Sequence, residues 1–205
     1  MIIDLGTGDG RFVYQCARRN PGSFYVGIDA SAGALRKVSE RVHRKRAKGG
    51  VPNILFLHAS VEELPSELDG VADEVHVHFP WGSLLRALGA GEARVLKNLR
   101  RICAPGAWLE IVISLDSRRD RSGITRLGLD PALAGTMTPS LTASYRAAGF
   151  DVVESGVIQQ SEWPRIHTSW AGRLRSGTGR SLAYLVARAA EENSPLGRDD
   201  WKASV

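Results

Sequence analysis

A glycine-rich turn directly after the first apolar segment is the feature that most limits how this chain can fold. Residues 1–5 (MIIDL) predict a short buried strand, glycines follow at positions 6, 8 and 10, and a helical segment begins at Arg11. Glycine lets the backbone turn tightly and approach a ligand closely, and the start of the next helix offers free N–H groups to an anion. A strand, such a turn and a helix in this order favour a ligand site at the end of the strand.

Strand-like and helix-like segments alternate along the rest of the chain. The predicted strands span residues 1–5, 24–28, 54–57, 74–79, 108–115, 151–157 and 181–187, and the predicted helices span residues 11–19, 31–47, 90–102 and 139–148. This alternation predicts an α/β fold: a Rossmann-like, doubly wound and mostly parallel sheet with helices on both faces. We expect one domain over residues 1–190 with an Arg-rich insertion at about 116–137, a basic segment at about 159–180 and a tail over residues 191–205.

The glycine spacing favours S-adenosylmethionine (SAM) over a dinucleotide, which would instead indicate a dehydrogenase. A dinucleotide-binding GxGxxG turn needs glycine at position 11, where this chain has Arg11, and here an acid, Asp4, precedes the glycines. The carboxylate of a methionine-type ligand can meet the turn, and its ammonium can meet Asp4. Asp29 ends the second predicted strand, where an acidic side chain typically hydrogen-bonds to a ribose diol. A polar turn at residues 60–62 follows the third predicted strand, where we expect the edge of the adenine ring. The predicted cofactor-binding residues are Asp4, Gly6, Thr7, Gly8, Asp29, Ser60, Val61, Glu62 and Ser83.

The segment after the fourth predicted strand, HFPWGS at residues 78–83, lies where the transferred methyl group is expected. Enzymes that methylate exocyclic amines commonly place Asn or Asp with prolines here, and this chain has neither. Pro80 and Trp81 instead offer a rigid flat surface on which a base can stack. A ring nitrogen already carries a lone pair, so its methylation depends on orientation more than on a strong base. The alternative is that Trp81 only packs against a proline turn.

Basic residues dominate the charge of the chain, with 27 Lys and Arg against 22 Asp and Glu. Seven lie between Arg36 and Lys48, and the segment 163–180 carries four arginines and two tryptophans without an acid. Basic groups interleaved with aromatic rings are typical of phosphate contact combined with base stacking. A solvated helix face is the alternative for the first run alone.

Composition excludes several other classes. The two cysteines, Cys16 and Cys103, indicate a reducing compartment and no disulfide framework, and no apolar run reaches the length of a membrane span. We therefore expect a cytoplasmic protein. His76 and His78 share one face of a predicted strand without further ligands at metal spacing, so we expect hydrogen-bonded structural histidines and no metal.

Four segments together resemble one enzyme family: DLGTGDG at residues 4–10, KGGVP at 48–52, FPWGSLL at 79–85 and TSWAGRL at 168–174. The chain is similar to the aminoglycoside-resistance 16S rRNA methyltransferases that act on N1 of adenine 1408 in the decoding site, over most of residues 1–190. The resemblance implies a class I SAM-dependent fold, SAM as methyl donor and the assembled small ribosomal subunit as substrate.

The resemblance also implies site residues. Two tryptophans hold the flipped target base in that family, and by motif match they are Trp81 and Trp170, with Thr168 as the small hydroxyl residue beside the second. Arg44, Lys45, Arg173 and Arg180 match basic residues that face the rRNA. We expect a monomer. Two alternatives stay open: a guanine-N7 tRNA methyltransferase and a catalytically silent SAM-binding RNA module.

Overall fold

The sheet at the centre of the molecule has seven strands. The computed structural model describes residues 1–116, 118–130, 138–158 and 182–191. The strands in those ranges are β1 (Ile2–Leu5), β2 (Tyr25–Asp29), β3 (Ile54–His58), β4 (Ala72–His78), β5 (Cys103–Ile113), β6 (Phe150–Ile158) and β7 (Leu182–Ala189). The α-helices there are α1 (Arg11–Arg19), α2 (Ala32–Val42), α3 (Gly82–Ala90), α4 (Ala93–Ile102), α5 (Arg121–Leu127) and α6 (Pro139–Ala147).

The strand order is β3-β2-β1-β4-β5-β7-β6. The first five strands pair in parallel, whereas β7 runs antiparallel between β5 and β6. The strand order therefore reverses between β1 and β4, because β2 and β3 extend the sheet on one side and β5 extends it on the other. Open α/β sheets bind ligands at this reversal point. The predicted class, a doubly wound and mostly parallel sheet of the SAM-dependent methyltransferase type, is confirmed.

Two apolar layers hold helices on both faces of this sheet. The larger core joins α3, α4 and α6 to the central strands, with Leu99, Leu109 and Ile111 almost without solvent contact. The smaller core lies between α1, α2 and the strands β2 and β3, and includes Tyr14 and Val38. Apolar side chains from alternate strand positions fill both layers, which is why the strands are apolar almost throughout.

Helix α2 is shorter than predicted. It ends at Val42 rather than near position 47, and residues Arg46–Lys48 form a separate single turn of 3₁₀ helix. The physical reason is a close return of the backbone, because a Cβ on Gly50 would lie 1.6 Å from the carbonyl oxygen of Arg44. A continuous helix cannot make that return.

Two helices were not predicted. Glycines at positions 82, 89 and 91 argue against helix α3, but its residues Leu85 and Leu88 are buried in the larger core, and burial outweighs the propensity. Helix α5 lies inside the segment predicted as an Arg-rich insertion, where no helix was predicted, and is anchored by the buried Ile124. No helix within the described ranges has the length and apolarity that crossing a bilayer requires.

Substituting Leu99 tests the position of the larger core. Leu99 is 0% exposed, so Leu99→Ala removes buried methyl groups and leaves a cavity that costs about 2–5 kcal/mol of unfolding free energy. Leu55 is 47% exposed on the edge strand and provides the matched control. Urea denaturation measures both, and equal losses in Leu99→Ala and Leu55→Ala would contradict the packing described.

Candidate active site

One cavity of about 280 Å³ opens at the carboxyl ends of β1, β2, β3 and β4. The turns that follow these four strands form its walls, as the strand order requires. The lining residues from the sequence prediction are Gly6, Thr7, Gly8, Asp29, Ser60, Val61, Glu62, Trp81 and Ser83. The cavity therefore brings together predicted site residues that are up to 77 positions apart in the chain, from Gly6 to Ser83.

Hydrogen bonds from the side of the turn that faces the sheet hold the glycine turn in place. Asp4 is buried and accepts a hydrogen bond of 2.5 Å from the hydroxyl of Thr7, while the amides of Gly6 and Thr7 donate to the carbonyl of Ile28. Burial raises the pKa of Asp4, and His78 and the Thr7 hydroxyl offset part of that effect. Asp4 thus lies beneath the turn rather than on the cavity wall, and its contact with a ligand ammonium stays a prediction.

Glycine is required at the end of this turn. Gly10 has a φ of 66° and directly precedes α1, and a Cβ there would lie 2.5 Å from the ring of Phe56. Gly8, in contrast, has no atom within 4 Å of the place a Cβ would occupy, so that position faces open space. The turn therefore presents its backbone directly to the cavity, as a ligand carboxylate needs.

Asp29 joins the turns after β1 and β2. One carboxylate oxygen accepts the amide of Gly8 at 2.8 Å and the other accepts the amide of Ser31 at 2.8 Å. Each oxygen keeps a second lone pair, so the side chain can also accept hydrogen bonds from a ribose diol. The same residue can thus fix the turns and bind a ligand between them.

The third wall, at Ser60–Glu62, is positioned from helix α4. The side-chain amide of Asn98 donates to the carbonyls of Val61 at 3.0 Å and Glu62 at 3.1 Å. No sequence motif predicts this role of Asn98. Its sequence signal is weak: a polar side chain next to the apolar positions of an amphipathic helix. The carbonyls that Asn98 contacts are 36 and 37 positions away.

The fourth wall carries an exposed tryptophan in a constrained backbone. Phe79 has a φ of 52°, unusual for a side chain of its size, and its amide donates to Val112 at 2.7 Å. Trp81 follows as the residue that precedes α3 and is 48% exposed. A Cβ on Gly123 of α5 would lie 3.4 Å from the Trp81 ring. One ring edge is therefore backed by α5 while much of the ring stays open to solvent.

A buried ionic network lies beside this wall. Glu110 of β5 accepts hydrogen bonds from His78 at 2.5 Å and His76 at 3.3 Å, and the second nitrogen of His76 lies 3.3 Å from Glu74. Burial disfavours a charged ring, but the bonds to Glu110 and Glu74 outweigh it and raise the pKa of His76 to about 10. Burial likewise opposes charge on Glu110, yet the two histidines hold its pKa well below the usual range.

The cluster of His76, His78 and Glu110 places three groups of metal-ligating type within 4.8 Å of one another. Its geometry is that of a hydrogen-bonded ion pair, in which His76 uses both ring nitrogens on carboxylates. The arrangement agrees with the prediction of structural histidines, and the prediction that the protein uses no metal stays untested.

The predicted RNA-facing residues divide into two groups. Arg44 and Lys45 are exposed in the connection after α2, away from the cavity walls. Thr168, Trp170, Arg173 and Arg180 lie outside the described residues.

The model of one protein family, 16S rRNA (adenine(1408)-N(1))-methyltransferase of the NpmA type, matches residues 1–189. The chain belongs to this family. It is therefore a SAM-dependent enzyme that methylates N1 of adenine 1408 in 16S rRNA.

Individual relatives agree with the family assignment. The 16S rRNA (adenine(1408)-N(1))-methyltransferase of Streptoalloteichus tenebrarius is 35% identical over 181 residues, covering 88% of this chain and 82% of the relative. That of Escherichia coli is 32% identical over 182 residues, covering 88% and 83%. A tRNA (guanine-N(7)-)-methyltransferase of Chloroflexus aurantiacus is only 27% identical, over 193 residues.

Solved structures of the family share the fold. A variant of the enzyme from Catenulisporales acidiphilia, solved with its cosubstrate SAM, superposes with a TM-score of 0.81 at 35% identity, covering 95% of this chain and 88% of that one. A crystallised aminoglycoside resistance methyltransferase superposes with a TM-score of 0.76 at 41% identity, covering 92% and 86%. The cavity described above offers the backbone donors and the acidic acceptor that suit SAM, so its residues fit the family's cosubstrate.

Replacing Asp29 tests the ribose contact. Asp29→Ala removes charge-assisted hydrogen bonds worth about 1.5–3 kcal/mol each, and we expect SAM affinity measured by calorimetry to fall at least tenfold. Asp73→Ala, which removes an exposed carboxylate paired with the N-terminal amine, is the control and should bind SAM normally. Unchanged affinity in Asp29→Ala would show that the ribose lies elsewhere.

The pH dependence of stability tests the ionic network. Because folding raises the pKa of His76 from 6.5 to about 10, the charge on His76 contributes its full stability below about pH 6.5 and loses it as pH rises towards 10. The unfolding free energy, followed by urea denaturation, should therefore fall across this window in the wild-type protein. In His76→Gln the fall should be smaller. Parallel profiles for the two proteins would mean that His76 is not charged in the folded state.

Proposed function

We propose that the cavity holds SAM in one orientation, with its methionine end at Gly6–Gly8, its ribose on Asp29 and its adenine at Ser60–Glu62. Three features support this orientation. Open space faces Gly8, Asp29 keeps free lone pairs, and the buried side chain of Val61 gives the third wall an apolar surface. Ser83, at the start of α3, completes the end of the cavity beside Trp81.

Trp81 is the observation that carries the assignment of the target-base site. Its ring is exposed at the cavity edge, directly after β4, and is backed on one edge by Gly123. A flipped adenine stacked on this ring gains about 1–3 kcal/mol per aromatic contact, which offsets the few kcal/mol lost when it leaves the RNA stack. In this role Trp81 is a catalytic residue, because it touches the reacting base.

The chemistry asks little of the protein beyond orientation. SAM supplies a methyl group on a sulfonium. The lone pair of adenine N1 forms the new N–C bond as the S–C bond breaks, and the positive charge passes to the base. Adenine N1 carries no proton that must first be removed, so no general base is needed. Holding the base in line and excluding water then accounts for most of the rate gain.

The second half of the base site rests on the family resemblance. Trp170 provides the opposite stacking ring and Thr168 the neighbouring hydroxyl in this proposal, and Arg173 and Arg180 bind rRNA phosphates beside them. All four fall outside the residues that the structure describes. Arg44 and Lys45 bind phosphates at a separate surface.

The proposed substrate form is supported by the distance between the cavity and Arg44. Helix α2 starts just after Asp29 and its 11 residues span roughly 16 Å before Arg44 is reached. Contacts so far from the cavity require a large, folded RNA surface, which favours the assembled small subunit as substrate. Modification of adenine 1408 is proposed to confer aminoglycoside resistance, in line with the solved relative described as an aminoglycoside resistance methyltransferase.

Reverse transcription of 16S rRNA tests the activity and the site together. N1 methylation blocks Watson–Crick pairing, so rRNA from cells that express this chain should stop the reverse transcriptase at adenine 1408. Purified protein should produce the same stop on assembled small subunits and a weaker one on free 16S rRNA. Equal modification of both substrates would overturn the proposal for the assembled subunit.

Removing the Trp81 ring separates base positioning from cofactor binding. Trp81→Ala should abolish most methylation while SAM affinity stays within a few-fold, and Trp81→Phe should recover part of the activity because it keeps a stacking face. Phe24→Ala is the control, because it removes an exposed aromatic ring that lies directly before β2, at the amino ends of the parallel strands and not at their carboxyl ends. Methylation is followed by primer extension and SAM affinity by calorimetry. Normal methylation by Trp81→Ala would refute the stacking role.

A further inference from the structure

Residues 44–50, called the basic loop below, form a compact turn closed by their own backbone. The amides of Lys48 and Gly50 both donate to the carbonyl of Lys45, at 2.7 and 3.1 Å, and that of Gly49 donates to Arg46 at 3.0 Å. The exposed cationic residues of the loop are Arg44, Lys45, Arg46 and Lys48. Four positive side chains are therefore presented from one short, ordered turn.

The loop is fastened to helix α1 by Tyr14. The ring of Tyr14 is buried in the smaller core, and its hydroxyl donates a hydrogen bond of 2.9 Å to the carbonyl of Gly49. Gly49 has a φ of 90°, and a Cβ there would lie 2.9 Å from the Arg41 guanidinium and 3.1 Å from the Tyr14 hydroxyl. The glycine lets the loop backbone reach both side chains.

Arg41 belongs to the basic run in sequence but differs from its neighbours in contact. Its guanidinium carbon lies 4.5 Å from the centre of the Tyr14 ring, within the range of a cation–π interaction. It also borders Gly49, so the same charged group covers the ring and abuts the loop. Although Arg41 is exposed as a residue, its guanidinium rests against the Tyr14 ring and Gly49, and no comparable contact with another described residue holds the side chain of Arg44 or Lys45.

We propose that Tyr14 and Arg41 form a brace that preorganises the basic loop for rRNA phosphates, so that both are positioning residues and Arg41 is not itself an rRNA contact. The inference rests on the proposed RNA-binding role of Arg44 and Lys45. A loop that is already ordered loses little conformational entropy when it binds. The brace raises affinity in this way without adding a phosphate contact.

Salt dependence distinguishes a brace from a contact. Each phosphate contact contributes about one to the slope of log affinity against log salt concentration. Loss of a contact lowers that slope, whereas loss of preorganisation weakens binding at every salt concentration and leaves the slope unchanged. Because the basic loop lies far from the cavity, neither change should alter SAM affinity.

The experiment measures binding of the full-length protein to purified small subunits across a salt series. Tyr14→Phe and Arg41→Gln should each weaken binding roughly three- to tenfold, the loss expected for one hydrogen bond or similar contact, with the wild-type slope. Arg44→Gln should lower the slope by about one. Tyr25→Phe, which removes a hydroxyl from the same core without touching the loop, should bind as wild type.

Amide hydrogen exchange gives a second readout that does not depend on RNA. The amides of Lys48, Gly49 and Gly50 should exchange faster in Tyr14→Phe and Arg41→Gln and at the wild-type rate in Tyr25→Phe. Wild-type affinity of Tyr14→Phe, or a slope reduced by one in Arg41→Gln, would overturn the brace. If Arg44→Gln also leaves slope and affinity unchanged, Arg44 does not contact RNA, and its proposed RNA-binding role fails together with the brace that rests on it.

Discussion

The carboxylate of Asp29 is the contact on which the rest of the site depends. This carboxylate accepts hydrogen bonds from the amide of Gly8 in the turn after β1 and from the amide of Ser31 before α2. The backbone carbonyl of Asp29 accepts a hydrogen bond from the amide of Ala59 after β3. The segments that follow three strands are thereby hydrogen-bonded to one residue. A parallel sheet brings such ends close together, but only specific hydrogen bonds fix them with the accuracy that a ligand requires.

Charge inside the protein supports the reacting end of the cavity. His76, His78 and Glu110 lie on neighbouring strands below the segment that carries Trp81, and each is mostly removed from water. Isolated charges on His76 and Glu110 would be costly at such positions, and mutual hydrogen bonding offsets the cost. The network also joins β4 to β5 through side chains as well as backbone. The strained Phe79 and the exposed Trp81 therefore follow a firmly held strand.

Helix α2 connects the cavity to the surface proposed to bind rRNA. Its first turn follows Asp29 and faces the cofactor end of the sheet, and its last turn leads into the basic loop. The cavity and the proposed docking surface thus lie at opposite ends of one element. Under that proposal, changes in the surface charge of the loop adjust rRNA affinity without disturbing the geometry of methyl transfer, since among the described residues the cavity and the loop share no side chain.

The sequence by itself determined the fold class, the glycine turn and the placement of Asp29 and Trp81 at the cavity. Strand–helix alternation is a local pattern, and a parallel sheet brings the residues that follow its strands to the same side. Only the tertiary structure showed that α2 stops at Val42, that α3 and α5 exist and that Asn98 and Tyr14 hold distant turns. Burial of Leu85 and Leu88 outweighs glycine in α3. The hydrogen bonds of Asn98 and Tyr14 join residues more than 30 positions apart, a separation that no local pattern encodes.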